Sequence, residues 1–208
     1  MAQLIVSDLC HEFLNYMYSE DLEKFNLNAA QYCNERNVHD QIRSAISNRK
    51  NIIEKYPEKS FLNIGVGPGF LEWACKKFNI NNLDSVELQP ELQKQMLLTY
   101  NWILDYLDVQ DRISYRCNDI RKDDFEIFGC NKTYDFILCF RFTKIGLNRD
   151  GITGVKEVIS RLSRYGKKLI INSSTNKPEI DKFLRDISDE ILEDEFIVVD
   201  LQKFNLYK

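Results

Sequence analysis

The sequence predicts an α/β fold: a mostly parallel sheet of about seven strands in three layers, with an antiparallel hairpin at its C-terminal edge and helices at its N-terminus. Three observations predict it. From Ser60 onward, short apolar runs alternate with amphipathic segments, the pattern of parallel strands joined by crossover helices. The first apolar run, Phe61 to Val66, feeds straight into Gly67-Pro68-Gly69, a strand-to-helix turn. The last two apolar runs have no helical segment between them and are expected to pair antiparallel at one edge.

Residues 1–56 read as an N-terminal helical extension, a candidate lid, and residues 57–208 as the α/β domain. In the extension, Leu9, Phe13, Leu14, Met17 and Tyr18 recur at helical spacing, as do Val38, Ile42, Ile46 and Ile53. In the domain, Phe61 to Val66 is the first strand and Phe70 to Phe78 a helix. Leu83 to Leu88 is the second strand, followed by a helix from Pro90 to about Leu107. Arg112 to Cys117 is the third strand. Tyr134 to Phe140 is the fourth and nearly all apolar, as a central parallel strand should be. Asp150 to Arg164 is a helix, Lys168 to Asn172 a fifth strand, and Pro178 to Leu192 a further helix. Glu195 to Leu201 and Lys203 to Tyr207 are the two strands of the edge hairpin.

Bulk properties exclude several function classes. The chain has 208 residues, enough for one full domain with a sizeable core. No apolar run approaches the roughly 20 residues that cross a bilayer. The segment Met1 to Asp8 lacks the basic start of a secretory signal. A cytoplasmic protein without a membrane partner is expected. The net charge of −4 does not favour duplex nucleic acid, which demands many Lys and Arg contacts to phosphate. The densest basic stretch, Arg161, Arg164, Lys167 and Lys168, reads as a solvated helix end. The six cysteines, Cys10, Cys33, Cys75, Cys117, Cys130 and Cys139, form no C-x-x-C pair, so no metal site is expected. Cys117 and Cys139 fall inside apolar runs and read as small core hydrophobes, which fits a reducing compartment.

The residues with chemical meaning cluster at strand ends. Asn63-Ile64-Gly65-Val66-Gly67-Pro68-Gly69 places glycines at G-x-G-x-G spacing, which lets backbone approach a ligand closely. The dinucleotide fingerprint G-x-G-x-x-G wants a small residue where Phe70 stands, so a dehydrogenase is disfavoured. Glu87 ends the second strand about 20 residues after the glycine turn, where a carboxylate can accept from both ribose hydroxyls. Asn118-Asp119 follows the third strand directly. There a carboxylate can accept from an exocyclic adenine amine, although Asn-Asp is also plain turn chemistry.

Taken in order, these residues resemble a class I, Rossmann-like S-adenosylmethionine-dependent methyltransferase. The resemblance runs from Ser60 to the C-terminus. The family has a seven-stranded sheet in which the last inserted strand is antiparallel. Its first motif is similar to Asn63 to Gly69, its acidic second-strand motif to Glu87 with Leu88 beside it, and its adenine-contacting motif to Asn118-Asp119. Arg164-Tyr165-Gly166-Lys167-Lys168 resembles the family's turn before the fifth strand. The resemblance implies S-adenosylmethionine held by Asn63, Gly65, Gly67, Gly69, Glu87, Leu88, Asn118, Asp119 and Phe140. The chain departs from the pattern at Asn63, where the family often has Asp or Glu. It also lacks the Asn/Asp-Pro-Pro-aromatic motif of enzymes that methylate amines on nucleic-acid bases, carrying Cys139-Phe140-Arg141-Phe142 instead.

The implied reaction is in-line displacement at the sulfonium methyl, with a small molecule or protein side chain as acceptor and holding of the reactants as the enzyme's main task. No general base stands out. Arg141 and Phe140 are the candidates for the reaction zone, one to bind an anionic acceptor and the other to wall the methyl pocket. Two alternatives stay open: a non-catalytic binding protein, and an aminopropyl transferase, which needs acidic residues where Arg141 stands.

Overall fold

The computed structural model describes residues 8, 10, 11, 15, 39, 40, 42–66, 69–88, 113–140, 147–172, 177–192 and 196–204. The expected helix from Pro90 to Leu107 and the residues Gly67, Arg141 and Phe142 lie outside them. The chain divides into two compact units, one of Met1–Pro57, Val66–Asn81 and Gln89–Ile113, the other of Glu58–Gly65, Asn82–Leu88 and Ser114–Lys208.

In the first unit, a π-helical stretch Ser44–Arg49 runs into α1 (Lys50–Lys55). Ala45, Ile46, Ile52 and Ile53 of this segment are buried, as is Ile42 just before it. The π-helical stretch and α1 both pack on α2 (Phe70–Lys77), which buries Phe70 to Cys75. Lys50 is buried but not isolated, because its ammonium bonds Glu54 at 2.6 Å and lies 4.4 Å over the Phe78 ring. α2 stops at a left-handed cap. Asn79 has φ 57°, and the N–H groups of Asn79 and Ile80 donate to the carbonyls of Lys76 and Cys75.

The second unit holds a sheet of β1 (Phe61–Ile64), β2 (Leu83–Leu88), β3 (Ile113–Cys117), β4 (Ile127–Phe128), β5 (Tyr134–Leu138), β6 (Gly166–Asn172), β7 (Ser188–Leu192) and β8 (Phe196–Asp200). The spatial order is β4-β3-β2-β1-β5-β6-β8-β7. β1 pairs parallel with β2 and β5, and β5 parallel with β6. β8 inserts between β6 and β7, antiparallel to both. Central strands are buried on both faces, as parallel strands are: Leu62, Ile137, Leu169 and Ile171 point to one side, Phe61, Leu138 and Ile170 to the other. Three helices supply the apolar cluster on the first of these faces. They are α3 (Leu147–Leu162, interrupted by non-helical backbone at Gly151), α4 (Pro178–Asp186) and α5 (Leu201–Phe204). They contribute Val155, Ile159, Leu162, Ile180, Leu184, Leu201 and Phe204. No helix among the described residues is long and apolar enough to cross a membrane.

The C-terminal third corrects the sequence reading. The helix expected to reach Leu192 ends at Asp186, and Ser188–Leu192 is strand β7. Ile180, Leu184, Ile187 and Ile191 keep a helical spacing, yet Ile191 is 53% exposed while Leu192 is buried. The Ser188 hydroxyl donates to the Arg185 carbonyl and closes the helix there. The strand expected from Lys203 begins instead as the helical turn α5. Asp200 caps that turn, its Oδ1 accepting from the N–H groups of Gln202 and Lys203 at 2.8 and 3.0 Å. The edge hairpin therefore exists one element earlier, between β7 and β8.

Candidate functional site

Strand order reverses at β1: the chain moves from β1 to β2 and β3 on one side, then returns to β5 and β6 on the other. In open α/β sheets ligands bind beyond the carboxyl ends of the strands at such a switch point. The residues singled out from the sequence in the second unit converge on that edge.

Asn63 near the end of β1 stands beside Ser85 of β2 in parallel register, and Glu87 follows two residues later on the same sheet face. All three are buried, at 4%, 0% and 6% exposure. Buried polar side chains are costly unless each is engaged, and each of these three has a partner. Ser85 was not singled out from the sequence. Its signal is its register opposite Asn63, which appears only once the strands are paired.

Gly65 follows β1 with φ +81°, a left-handed backbone that favours glycine, and its N–H donates to the Val86 carbonyl at 3.0 Å. A side chain added at Gly65 would meet none of the described residues within 4 Å, so among them the backbone has an open side. In the first unit, Gly69 also has a positive φ, 79°, and caps α2. Gly67 lies outside the described residues. Leu88 is the last residue of β2.

Asp119 and Asn118 follow β3, and their side chains have different tasks. The Asn118 carboxamide is spent on its own loop: Nδ2 donates to the Asp124 carbonyl and Oδ1 accepts from the Glu126 N–H, both at 2.7 Å. Asp119 accepts from the Arg121 guanidinium through both oxygens and from the Arg121 N–H. These bonds, the guanidinium's first, hold its carboxyl below the usual carboxylate range. Glu87 and Asp119 each lie near enough to Cys117 for their charges to act on it. Burial pushes that thiol up to about 12, with the Glu87 and Asp119 charges adding to the effect.

Phe140, just beyond β5, is buried and meets Phe196 edge-on with ring centroids 5.1 Å apart. Cys139 is fully buried, and burial, with Cys117 adding, pushes its thiol up to about 12, which leaves no thiolate for nucleophilic work. No metal-holding group of His, Cys, Asp and Glu occurs among the described residues.

The basic stretch departs only in part from its reading as a solvated helix end: Arg164 and Lys167 are exposed, and Arg161 is not. The Arg161 side chain is only 11% exposed and donates to the Ile120 carbonyl at 3.1 Å. Arg164 donates to the Phe125 carbonyl, and Lys167 pairs with Asp135 at 2.8 Å. Two of these cations therefore hold the loop that carries Asp119.

No protein-family model matches the chain, and no curated protein sequence matches it either. Solved structures do. An S-adenosylmethionine-dependent methyltransferase from Aquifex aeolicus is 14% identical, with a TM-score of 0.46 over 76% of this chain and 92% of that one. A second, from Clostridium acetobutylicum, is 20% identical, with a TM-score of 0.42 over 65% and 55%. An amino pentose methyltransferase from Micromonospora echinaspora is 17% identical, with a TM-score of 0.38 over 66% and 48%. The chain spans about half the length of several solved chains it matches, this last among them. The deciding observation is the sheet itself, five strands in the order β3-β2-β1-β5-β6 followed by an antiparallel β8 inserted before β7. It makes the fold a doubly wound, Rossmann-like α/β one with an antiparallel strand inserted near one edge.

Proposed function

We propose that this protein is a methyltransferase that binds S-adenosylmethionine at the carboxyl edge of β1, β2 and β3 and moves its methyl group to a small-molecule or protein acceptor. One observation carries the reading. A buried carboxylate, Glu87, ends β2 beside a glycine turn whose Gly65 backbone is open on one side, with a second carboxylate, Asp119, one strand further on. That set of acceptors fits an adenosyl group: Glu87 accepts from the ribose hydroxyls, Asp119 from the exocyclic amine, and Gly65 leaves room for close approach.

The bound cofactor supplies a methyl on positively charged sulfur, open to in-line displacement. The protein's work is to hold and to exclude. Glu87 and Asp119 fix the nucleoside across two strands. Asn63 holds the end of β1 without adding a charge. Phe140 bounds the edge beyond β5, and dry walls of this kind keep water from the reacting atoms. Arg141, the next residue, is our candidate for an anionic or polar group of the acceptor. The five described free cysteines suit a reducing, cytoplasmic setting.

Calorimetric titration with S-adenosylhomocysteine and with NAD tests the cofactor. We expect binding of the first and none of the second, and the reverse would sink the proposal. Radiolabelled-methyl transfer to duplex DNA, structured RNA and a metabolite extract, run in parallel, tests the acceptor. Labelling confined to nucleic acid, with binding that falls steeply as salt rises, would replace the small acceptor with a polynucleotide. Cofactor binding with no transfer to any pool would favour the non-catalytic alternative.

A further inference from the structure

The loop between β3 and β4 is held more firmly than its composition requires. Residues 121–124 are exposed, as polar loop residues usually are. Yet the last turn of α3 reaches across to grip the loop. Arg161 Nη1 donates to the Ile120 carbonyl at 3.1 Å, and Nη2 reaches Asp123 at 2.6 Å. Asp123 is fully exposed, so that ion pair contributes little, and the bond to the part-buried Ile120 carbonyl matters more. Arg164 donates to the Phe125 carbonyl. The Tyr165 hydroxyl accepts from the Ile127 N–H at 3.0 Å, and its ring meets Phe125 edge-on at 5.9 Å. Within the loop, Asn118 ties Asp124 to Glu126.

These grips fall on both sides of one residue. Asn118 is fixed before Asp119 and Ile120 after it, while Asp119 itself is oriented by Arg121. We infer that Arg161, with Tyr165 holding the start of β4 at Ile127, is a positioning residue that holds Asp119 in place to read the exocyclic amine of the cofactor's base. The inference rests on the S-adenosylmethionine reading above. It adds that base selectivity is set from α3, by side chains that do not touch the ligand. A guanidinium suits the task because its fork bonds a carbonyl and a carboxylate at once, which an ammonium on a flexible stem cannot match.

The test measures the affinities of S-adenosylhomocysteine and S-inosylhomocysteine, which carries a carbonyl oxygen in place of the amine, for three proteins. Wild type is expected to prefer the adenine ligand. Arg161→Met keeps the packing stem and removes the donor head. We expect it to weaken the adenine ligand about tenfold and leave the inosyl ligand within about twofold, so that the preference shrinks. Tyr165→Phe, which removes only the hydroxyl, should move the preference the same way by less. It decides alone if circular dichroism shows Arg161→Met unfolded. Equal losses for both ligands, or no loss for either, overturn the inference, as does a wild type without preference. A wild type that binds neither ligand overturns the cofactor reading itself, and this inference falls with it.

Discussion

Glu87 and Asp119 are both carboxylates at strand ends, yet their surroundings assign them different weights. Glu87 is buried at the end of β2, one strand from the glycine turn, and in the proposed reading accepts two charge-assisted hydrogen bonds from ribose. Asp119 already serves Arg121 and has one bond to offer a base. Glu87→Ala is therefore expected to weaken S-adenosylhomocysteine binding more than Asp119→Ala. Each charge-assisted bond is worth about 1.5–3 kcal/mol, so the two variants should differ by at least about a factor of ten in Kd. Titration of both variants checks this, and equal or inverted losses would mean that one carboxylate has the wrong role. Residues of this kind are legible in sequence when chain spacing encodes their place. Glu87 sits about 20 residues after a glycine turn, and that spacing is a property of the βαβ unit. Asn118 was legible as a position only, since its carboxamide turns inward to Asp124 and Glu126. Arg161 was not legible at all. Its partner Ile120 is 41 residues away, and nothing in a helix end written Arg-Leu-Ser-Arg announces a distant carbonyl.

Elements were readable in proportion to how completely they are buried. β5 runs from Tyr134 to Leu138 and is visible as a nearly apolar run because a central parallel strand has no wet face. The edge strands have one. β7, Ser-Asp-Glu-Ile-Leu, is polar at its first three positions and buries only Leu192, so a helical period through Ile187 and Ile191 competes successfully on paper. The two-residue β4 is too short to leave a periodic trace. Packing between two legible strands supplies a sharp test. Gly166 opens β6 opposite Tyr134 of β5, and a Cβ there would lie 2.5 Å from Ile137 Cγ1 and 2.8 Å from Cδ1. Ile137 is fully buried and, being β-branched, is stiff at χ1, so it has little freedom to withdraw. Gly166→Ala should cost about 1–3 kcal/mol by overpacking, read as a lower urea midpoint with an unchanged slope. A midpoint equal to wild type would show that the β5–β6 contact is looser than its distances imply.

Across the whole sheet, carboxylates at opposite ends of the strands do opposite jobs. At the carboxyl ends stand Glu87 and Asp119, the carboxylates of the proposed cofactor site. At the amino ends Asp84 and Asp135 knit strands together. Asp135 on β5 accepts from the Ser60 N–H and hydroxyl ahead of β1, at 3.1 and 3.2 Å, and from Lys167 of β6 at 2.8 Å. Asp84 on β2 accepts from the Tyr134 hydroxyl of β5 and the Ser114 hydroxyl of β3, and pairs with Lys132. Lys167, followed by the Ser60 N–H, holds the Asp135 carboxyl at about 2, below its ordinary 3.8. For Asp84 burial works upward, but Lys132, Tyr134 and Ser114 together outweigh it and the net shift is downward. A carboxyl depressed in the folded state takes up its proton first in the unfolded chain. Its stabilisation is thus complete above the ordinary value and lost as pH falls through the folded one. Stability should decline between about pH 4 and pH 2 independently of any cofactor. Asp135→Asn should melt lower than wild type at neutral pH and lose less on acidification, because one of the titrating groups is gone and Asp84 and Asp119 remain. Melting temperatures of both proteins across that range provide the check. Parallel curves would show that the Ser60–Asp135–Lys167 cluster is solvated in both states and that the amino ends of β1, β5 and β6 are held by backbone pairing and packing alone.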